Sequence, residues 1–367
     1  MDKNKNRLTQ PQLMFISGIY IFATMFITLP RELTVLAQHT GWLCILAAMA
    51  AFSGYIWLLN RLLGRIGDQE FIAYVHSLLG RWIGMPFTLL FLLLPTLLYS
   101  AYVMRLVGEL FETLVIPETP LGVMLIMFLI LRYWNVRGGL RSIGLFAEVV
   151  FPGMAAVLVI MLLLSLGHVE MSRIMPLYDT NLPDLYRGTL SVLAIFMEIG
   201  ILLYAANGIR DRQKTTGTLL KVNLTVGILF VLTYWLCLGT FGSSYLKRLA
   251  FPTVEMVRNI SFLHFFEHVE LIFLAMWVTM NTVKGSVTYY ACASGFRSWF
   301  GLNSYRPLLF PLAVIIYFLA IIPQNLPQAV FRLDQFKGQV YPYVSILFLL
   351  LMELLGWIKT KRGGSAP

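Results

Sequence analysis

The chain has 367 residues, of which 58% are hydrophobic and only 13% charged, with a mean hydropathy of +0.75. One soluble core cannot hide that much apolar surface, and apolar runs of about 20 residues recur at the length that crosses a hydrocarbon layer. The formal net charge of +10 is spread over short loops, which argues against a nucleic-acid surface, and Cys44, Cys237 and Cys292, all in apolar segments, suit neither a disulfide framework nor a zinc site.

The basic start MDKNKNR leads into a run longer than a signal-peptide core and without a clean cleavage site, so the first element is expected to persist as a span. The runs do not alternate apolar and polar residues, which excludes barrel strands. Ten helical spans are expected, at 11–36, 41–60, 86–113, 120–135, 144–167, 188–208, 219–241, 268–295, 307–323 and 340–358.

Span 1 opens with Thr9 or Gln10 ahead of Pro11, a favourable first-turn proline. Its second half crowds Thr24, Met25, Phe26, Ile27 and Thr28, several of which lose rotamer freedom in a helix. Pro30 then removes an amide donor and clashes with the carbonyl of Phe26. Two readings fit: an ordinary span end, or a helix broken in mid-membrane.

Span 3 holds Tyr99 and Tyr102, followed by Arg105 and Glu109 at a spacing that lets them pair and lock helices together. Glu148 in span 5 and Glu353 in span 10 are candidate proton relays. Span 6, TLSVLAIFMEIGILLYAANG, places Glu198 near its centre beside Gly200, where the backbone can bend. A carboxylate at that depth costs a few kcal/mol, so it must face a partner or a wet cavity.

His264 to His268 match the H-x-x-E-H spacing of a zinc protease, but the segment reads better as an interfacial helix start with Glu267 and Glu270 near its positive end. In span 8, Thr279, Thr282 and Ser286 share a helical face, with Asn281 and Lys284 beside it. Lys284 either lines a polar cavity, its ammonium standing where other transporters hold sodium, or snorkels to the interface. No phosphate loop, nucleophile elbow or convincing metal cluster is present, so neither an enzyme nor a cofactor is expected.

Most of the 28 basic residues, among them Arg61, Arg65, Arg132, Arg137, Arg141 and Arg210, are assigned to loops on one side, which places both termini in the cytoplasm. Ten spans divide five and five. Because five is odd, two similar halves would lie in the membrane inverted, an arrangement that puts ligands on broken helices 1 and 6.

Several stretches together resemble the B subunit of GerA-type spore germinant receptors, within the amino acid–polyamine–organocation transporter superfamily. The strongest is LKRLAFPTVEMVRNI at 246–260, followed by FFEHVELIFLAMWV; others are LPREL at 29–33, GW at 41–42, LLGRWIG at 78–84, RGGLRSIGLFAE at 137–148 and MPLYDTNLPDLYRG at 175–188. The resemblance implies an all-α polytopic membrane protein with ten transmembrane helices in a LeuT-like 5+5 inverted repeat, helices 1 and 6 discontinuous. Residues 1–367 would form one integral membrane domain, with repeats at about 11–167 and 188–358. It also implies a spore inner-membrane protein that binds a small germinant, often an amino acid, and works with A- and C-type subunits. A proton-coupled amino acid transporter and a scaffold that binds nothing are the rival readings.

In the leading reading, Thr24, Met25 and Thr28 of span 1 and Phe196, Glu198 and Gly200 of span 6 hold the ligand. Tyr99, Tyr102, Thr279 and Thr282 wall it, and Lys284 and Glu148 are the ion-coupling candidates. The family often has a glycine-rich G-x-G where this chain has Ala23-Thr24-Met25, and a glycine where it has Met197. Those bulkier residues imply a narrower or differently shaped pocket.

Overall fold

A computed structural model describes residues 7–114, 118–179, 181–259, 269–322 and 338–362, without the side chains at 24, 25, 113, 114, 269, 270 and 362. The His264–His268 motif lies outside the described residues. Helices dominate what is described: α1 (Gln10–Met25), α2 (Leu29–Ala37), α3 (Gly41–Ile66), α4 (Phe71–Leu79), α5 (Arg81–Thr88), α6 (Leu94–Leu114), α7 (Leu121–Arg137), α8 (Leu140–Ser165), α9 (Leu182–Met197), α10 (Thr215–Leu246), α11 (Pro252–Arg258), α12 (Val269–Phe300), α13 (Arg306–Ile321) and α14 (Tyr341–Arg362).

Among the described residues, each of the ten expected spans falls largely on helix. Span 1 is α1 plus α2, span 3 is α5, a π-helical turn and α6, and span 6 is α9 continued by a 3₁₀ stretch. Among the described residues, six stretches are long and apolar enough to cross a membrane: Leu29–Ile66, Arg81–Glu112, Leu140–His168, Leu182–Gly208, Arg212–Leu246 and Tyr341–Lys361. Large apolar side chains stay exposed along their outer faces, including Phe91, Ile130, Val149, Ile160, Phe310 and Leu347, a coat suited to lipid tails and not to water.

Local chemistry sets the helix ends. Thr9 caps α1 in a reciprocal box with Gln12, and Pro11 occupies the first turn. Asn181 caps α9 by accepting from the amide of Asp184 at 2.9 Å. Gly242, with φ of +69°, interrupts α10 close to the expected end of span 7.

Much of the packing follows the exchange of a span with the one five places on. Span 2 packs on span 6 as span 7 packs on span 1; span 4 packs on span 8 as span 9 packs on span 3. Spans 3 and 4 meet as do 8 and 9, and spans 1 and 5 as do 6 and 10. The symmetry is partial, because span 8 also packs on span 5 with no comparable contact between spans 3 and 10 among the described residues; spans 1, 3, 6 and 8 nonetheless meet around one centre.

Both described chain ends lie at the same end of the bundle. Leu8 forms a parallel bridge with Ile209, Arg7 reaches Asp68 at 3.2 Å, and Lys359 near the other terminus donates to the carbonyl of Ser77. Arg7, Asp68 and residues 209–214 line a cavity of about 310 Å³ there.

Candidate functional site

Span 1 is broken near Pro30, so of the two readings open there the broken helix holds. α1 stops at Met25, residues 26–28 form a turn, and α2 starts at Leu29. A broken helix in an apolar core leaves carbonyls that need donors. Thr253 of α11 donates to the carbonyl of Phe26 at 2.7 Å, the acceptor that Pro30 has no N–H to serve. Asn281 Nδ2 of α12 donates to the carbonyl of Ala23 at 3.2 Å, and Lys284 Nζ to that of Tyr20 at 2.9 Å. All three donors come from the second half of the chain.

Span 6 changes differently. At Glu198 the α-helix tightens into a 3₁₀ stretch, Glu198–Gly208, without unwinding into coil. The carbonyl of Met197 at the junction lies within reach of two hydroxyls, from Tyr341 at 3.2 Å and Tyr55 at 3.5 Å. A Cβ on Gly200 would stand 2.8 Å from the Tyr55 hydroxyl oxygen, so close approach is what holds that position to glycine.

At its junction, span 6 is tied to span 1, inside α1 and ahead of the break, through one ion pair. Lys284 Nζ contacts Glu198 Oε2 while still bonded to the Tyr20 carbonyl. Lys284 is 0% and Glu198 6% exposed, so the snorkelling alternative for Lys284 does not hold. The ammonium also stands over the rings of Tyr20, at 4.5 Å, and Tyr99, at 5.7 Å. Four elements thus converge on one cation: span 1 through Tyr20, span 3 through Tyr99, span 6 through Glu198, and span 8 itself.

The other sequence candidates sort around this centre. Tyr102 stacks on Tyr99 with ring centroids 6.0 Å apart. Thr282 is buried and donates to the carbonyl of Val278; half-buried Thr279 donates to that of Ala275. Phe196 is buried with its ring against Phe52 and Phe230, on the side of spans 2 and 7. Glu148 accepts from Gln12 Nε2 at 3.2 Å, tying span 5 to span 1. Thr28 is half-buried at the start of α2; the side chains of Thr24 and Met25 lie outside the described residues.

Two further acidic candidates join helices. Arg105 pairs with Glu109 and donates through Nη1 to the last carbonyls of α13, Ala320 at 3.1 Å and Ile321 at 3.4 Å. Glu353 is held by Arg61 at 2.9 Å and Arg65 at 2.8 Å. Arg132, assigned to a loop from sequence, is instead buried between spans 4 and 8. It ends an apolar run five residues before Arg137, which is how an ordinary basic flank reads. Tyr20, Tyr341 and Thr253 were also missed, since an aromatic in an apolar run or a loop threonine carries no local signal.

A family model described as spore germination protein matches residues 7–329. The chain belongs to the spore germination protein family. Among its relatives are spore germination protein YndE of Bacillus subtilis, 24% identical and covering 98% of each chain, and spore germination protein A2 of the same organism, 23% identical over 96% of this chain and 97% of the relative. Two solved structures show the fold. MhsT in complex with L-phenylalanine superposes with a TM-score of 0.66 at 13% identity, covering 96% of this chain and 89% of that one. Mhp1, a nucleobase-cation-symport-1 family transporter with bromovinylhydantoin bound, gives 0.63 at 12%, covering 91% and 76%. This spore germination protein is therefore a permease-like, LeuT-fold membrane protein. The stretch 246–260, which carried the strongest resemblance, contains Phe251-Pro252 at the start of α11 and Thr253, the donor that stabilises the break in span 1.

Proposed function

We propose that this spore germination protein is the germinant-sensing, permease-like subunit of a receptor in the spore inner membrane. Both termini lie in the cytoplasm, lipid surrounds the bundle, and A- and C-type receptor subunits are its partners. The ligand is an amino acid or a similar small molecule, held at mid-membrane where spans 1, 3, 6 and 8 converge.

The observation that carries this reading is the closed pair of Glu198 and Lys284, set at the junction in span 6 and bonded to the backbone of span 1 at Tyr20. A buried charge must keep a partner. A zwitterion brings no net charge: its ammonium takes Glu198, its carboxylate takes Lys284, and one buried pair becomes two. A net cation or anion would leave one charge uncompensated. Tyr20, Tyr99 and Tyr102 supply aromatic walls, with Thr28, Thr282 and the backbone around Thr24, Met25 and Gly200 beside them. Separating the pair frees span 6 from spans 1 and 8, and that shift in conformational population is what partner subunits read.

Germination assays of spores carrying Glu198→Gln or Lys284→Met test this. At normal receptor level, the germinant concentration for half-maximal response rises at least about tenfold, the loss of roughly 1.4 kcal/mol or more of binding. An unchanged concentration dependence overturns the role of the pair. Unchanged thermal stability across a broad germinant panel would favour the scaffold reading.

A second reading, a proton-coupled amino acid transporter, is supported by the ammonium of Lys284 on the span 1 backbone and by Glu148 between spans 5 and 1. Uptake into proteoliposomes driven by a pH gradient would favour it over a sensor.

A further inference from the structure

Five charged side chains are buried among the described residues: Arg105, Arg132, Glu198, Lys284 and Glu353. Four have a countercharge, in the pairs Arg105–Glu109 and Lys284–Glu198 and in the two arginines on Glu353. Arg132 has none among the described residues, although it is only 1% exposed. Its Nη2 donates to the carbonyl of Asn281 at 3.4 Å, a long bond, and its Nε and Nη1 have no acceptor there. Guanidinium stays protonated in proteins and offers five N–H donors. Left alone in a low-dielectric core it carries a large uncompensated desolvation cost.

The surroundings are cut to fit this group. A Cβ on Gly285 would stand 2.1 Å from Nε and 2.2 Å from Cζ, so glycine is what lets the guanidinium lie against α12. The contact between spans 4, 5 and 8 continues as a polar seam. Asn135 Nδ2 donates to Ser286 Oγ at 3.1 Å, and Ser142 Oγ donates to Asn135 Oδ1 at 3.3 Å. Packing that served stability alone would place apolar side chains here, since a lone buried charge weakens the fold. We infer that Arg132 is the centre of a second binding site, between spans 4 and 8, for a compact anion of halide or carboxylate chemistry. The anion accepts from Nε and Nη1 and neutralises the guanidinium. Asn281 links this site to span 1: its backbone carbonyl accepts from Arg132 and its side chain donates to Ala23 at the break. Anion occupancy therefore bears on the helix break, and the inference stands whether or not the protein senses germinants.

The test is thermal unfolding of the purified protein in detergent, with chloride or formate titrated against gluconate at constant ionic strength. The midpoint of the unmodified protein is expected to rise saturably with anion concentration, by a few degrees. A response to chloride alone marks a halide site, and a response to formate marks a carboxylate site. Arg132→Gln loses the response. Arg132→Lys, which keeps the charge but not the planar donors, needs a several-fold higher anion concentration. Lys214→Ala, in the separate basic cavity near the chain ends, leaves the response intact. No anion-dependent shift in the unmodified protein, or the same shift in Arg132→Gln, overturns the inference. Should that variant fail to fold, an unchanged anion dependence in Arg132→Lys overturns it equally.

Discussion

Spans 1 and 6 occupy equivalent places in the two halves, yet they break by different means. Span 1 opens into a turn and passes the carbonyls of Ala23 and Phe26 at the helix end to side chains of the second half, while Lys284 bonds the carbonyl of Tyr20 within α1. Span 6 never opens: it tightens into 3₁₀ geometry, and the junction carbonyl of Met197 lies within reach of hydroxyls from spans 2 and 10. The topology is symmetric but the chemistry is not. The cause is local, because proline in span 1 deletes a hydrogen bond outright, whereas span 6 contains no proline between Leu185 and Gly208 and can keep every turn bonded. One half thus supplies a site that needs donors, and the other supplies Lys284, Asn281 and Thr253 to fill it.

The largest expected effect comes from removing the ion pair that ties span 6 to span 1. Lys284→Met leaves Glu198 buried without its cation, which costs about 3–5 kcal/mol and should appear as a lower unfolding midpoint and reduced folded yield. A smaller loss is expected at the open break alone. Thr253→Val keeps the shape but strands the carbonyl of Phe26, at about 1–3 kcal/mol by thermal unfolding. The tightened break should tolerate loss best. Tyr341→Phe leaves the Tyr55 hydroxyl near Met197, so a change of about 0.5–1.5 kcal/mol is expected. If Tyr341→Phe proved costlier than Thr253→Val, the contrast between the two breaks would fail.

Much of this was legible in the sequence because the bilayer forces it to be. Ten apolar runs predict ten helices, Pro30 predicts the first break, and the cost of a mid-membrane carboxylate singles out Glu198. Lys284 was visible but ambiguous, since reach to the interface and reach to a buried partner leave the same trace in one helix. Arg132 was misassigned because charge at the end of an apolar run is the normal pattern of a membrane flank; only Gly285, far away in sequence, betrays that the side chain turns inward. Thr253 and Tyr341 acquire their roles entirely through tertiary contact, with no local pattern to announce them. Phe196 sits beside Glu198 in sequence, but helical geometry turns its ring toward spans 2 and 7.

Glu198 and Lys284 act as one unit that ties spans 6 and 8 to span 1. A double-mutant cycle on thermal stability tests it most directly, using Glu198→Gln, Lys284→Met and the combined variant. The combined variant should regain most of the loss shown by Lys284→Met, with a coupling of at least about 3 kcal/mol, because no unpaired charge remains buried. Losses that simply add, with coupling near zero, would contradict it.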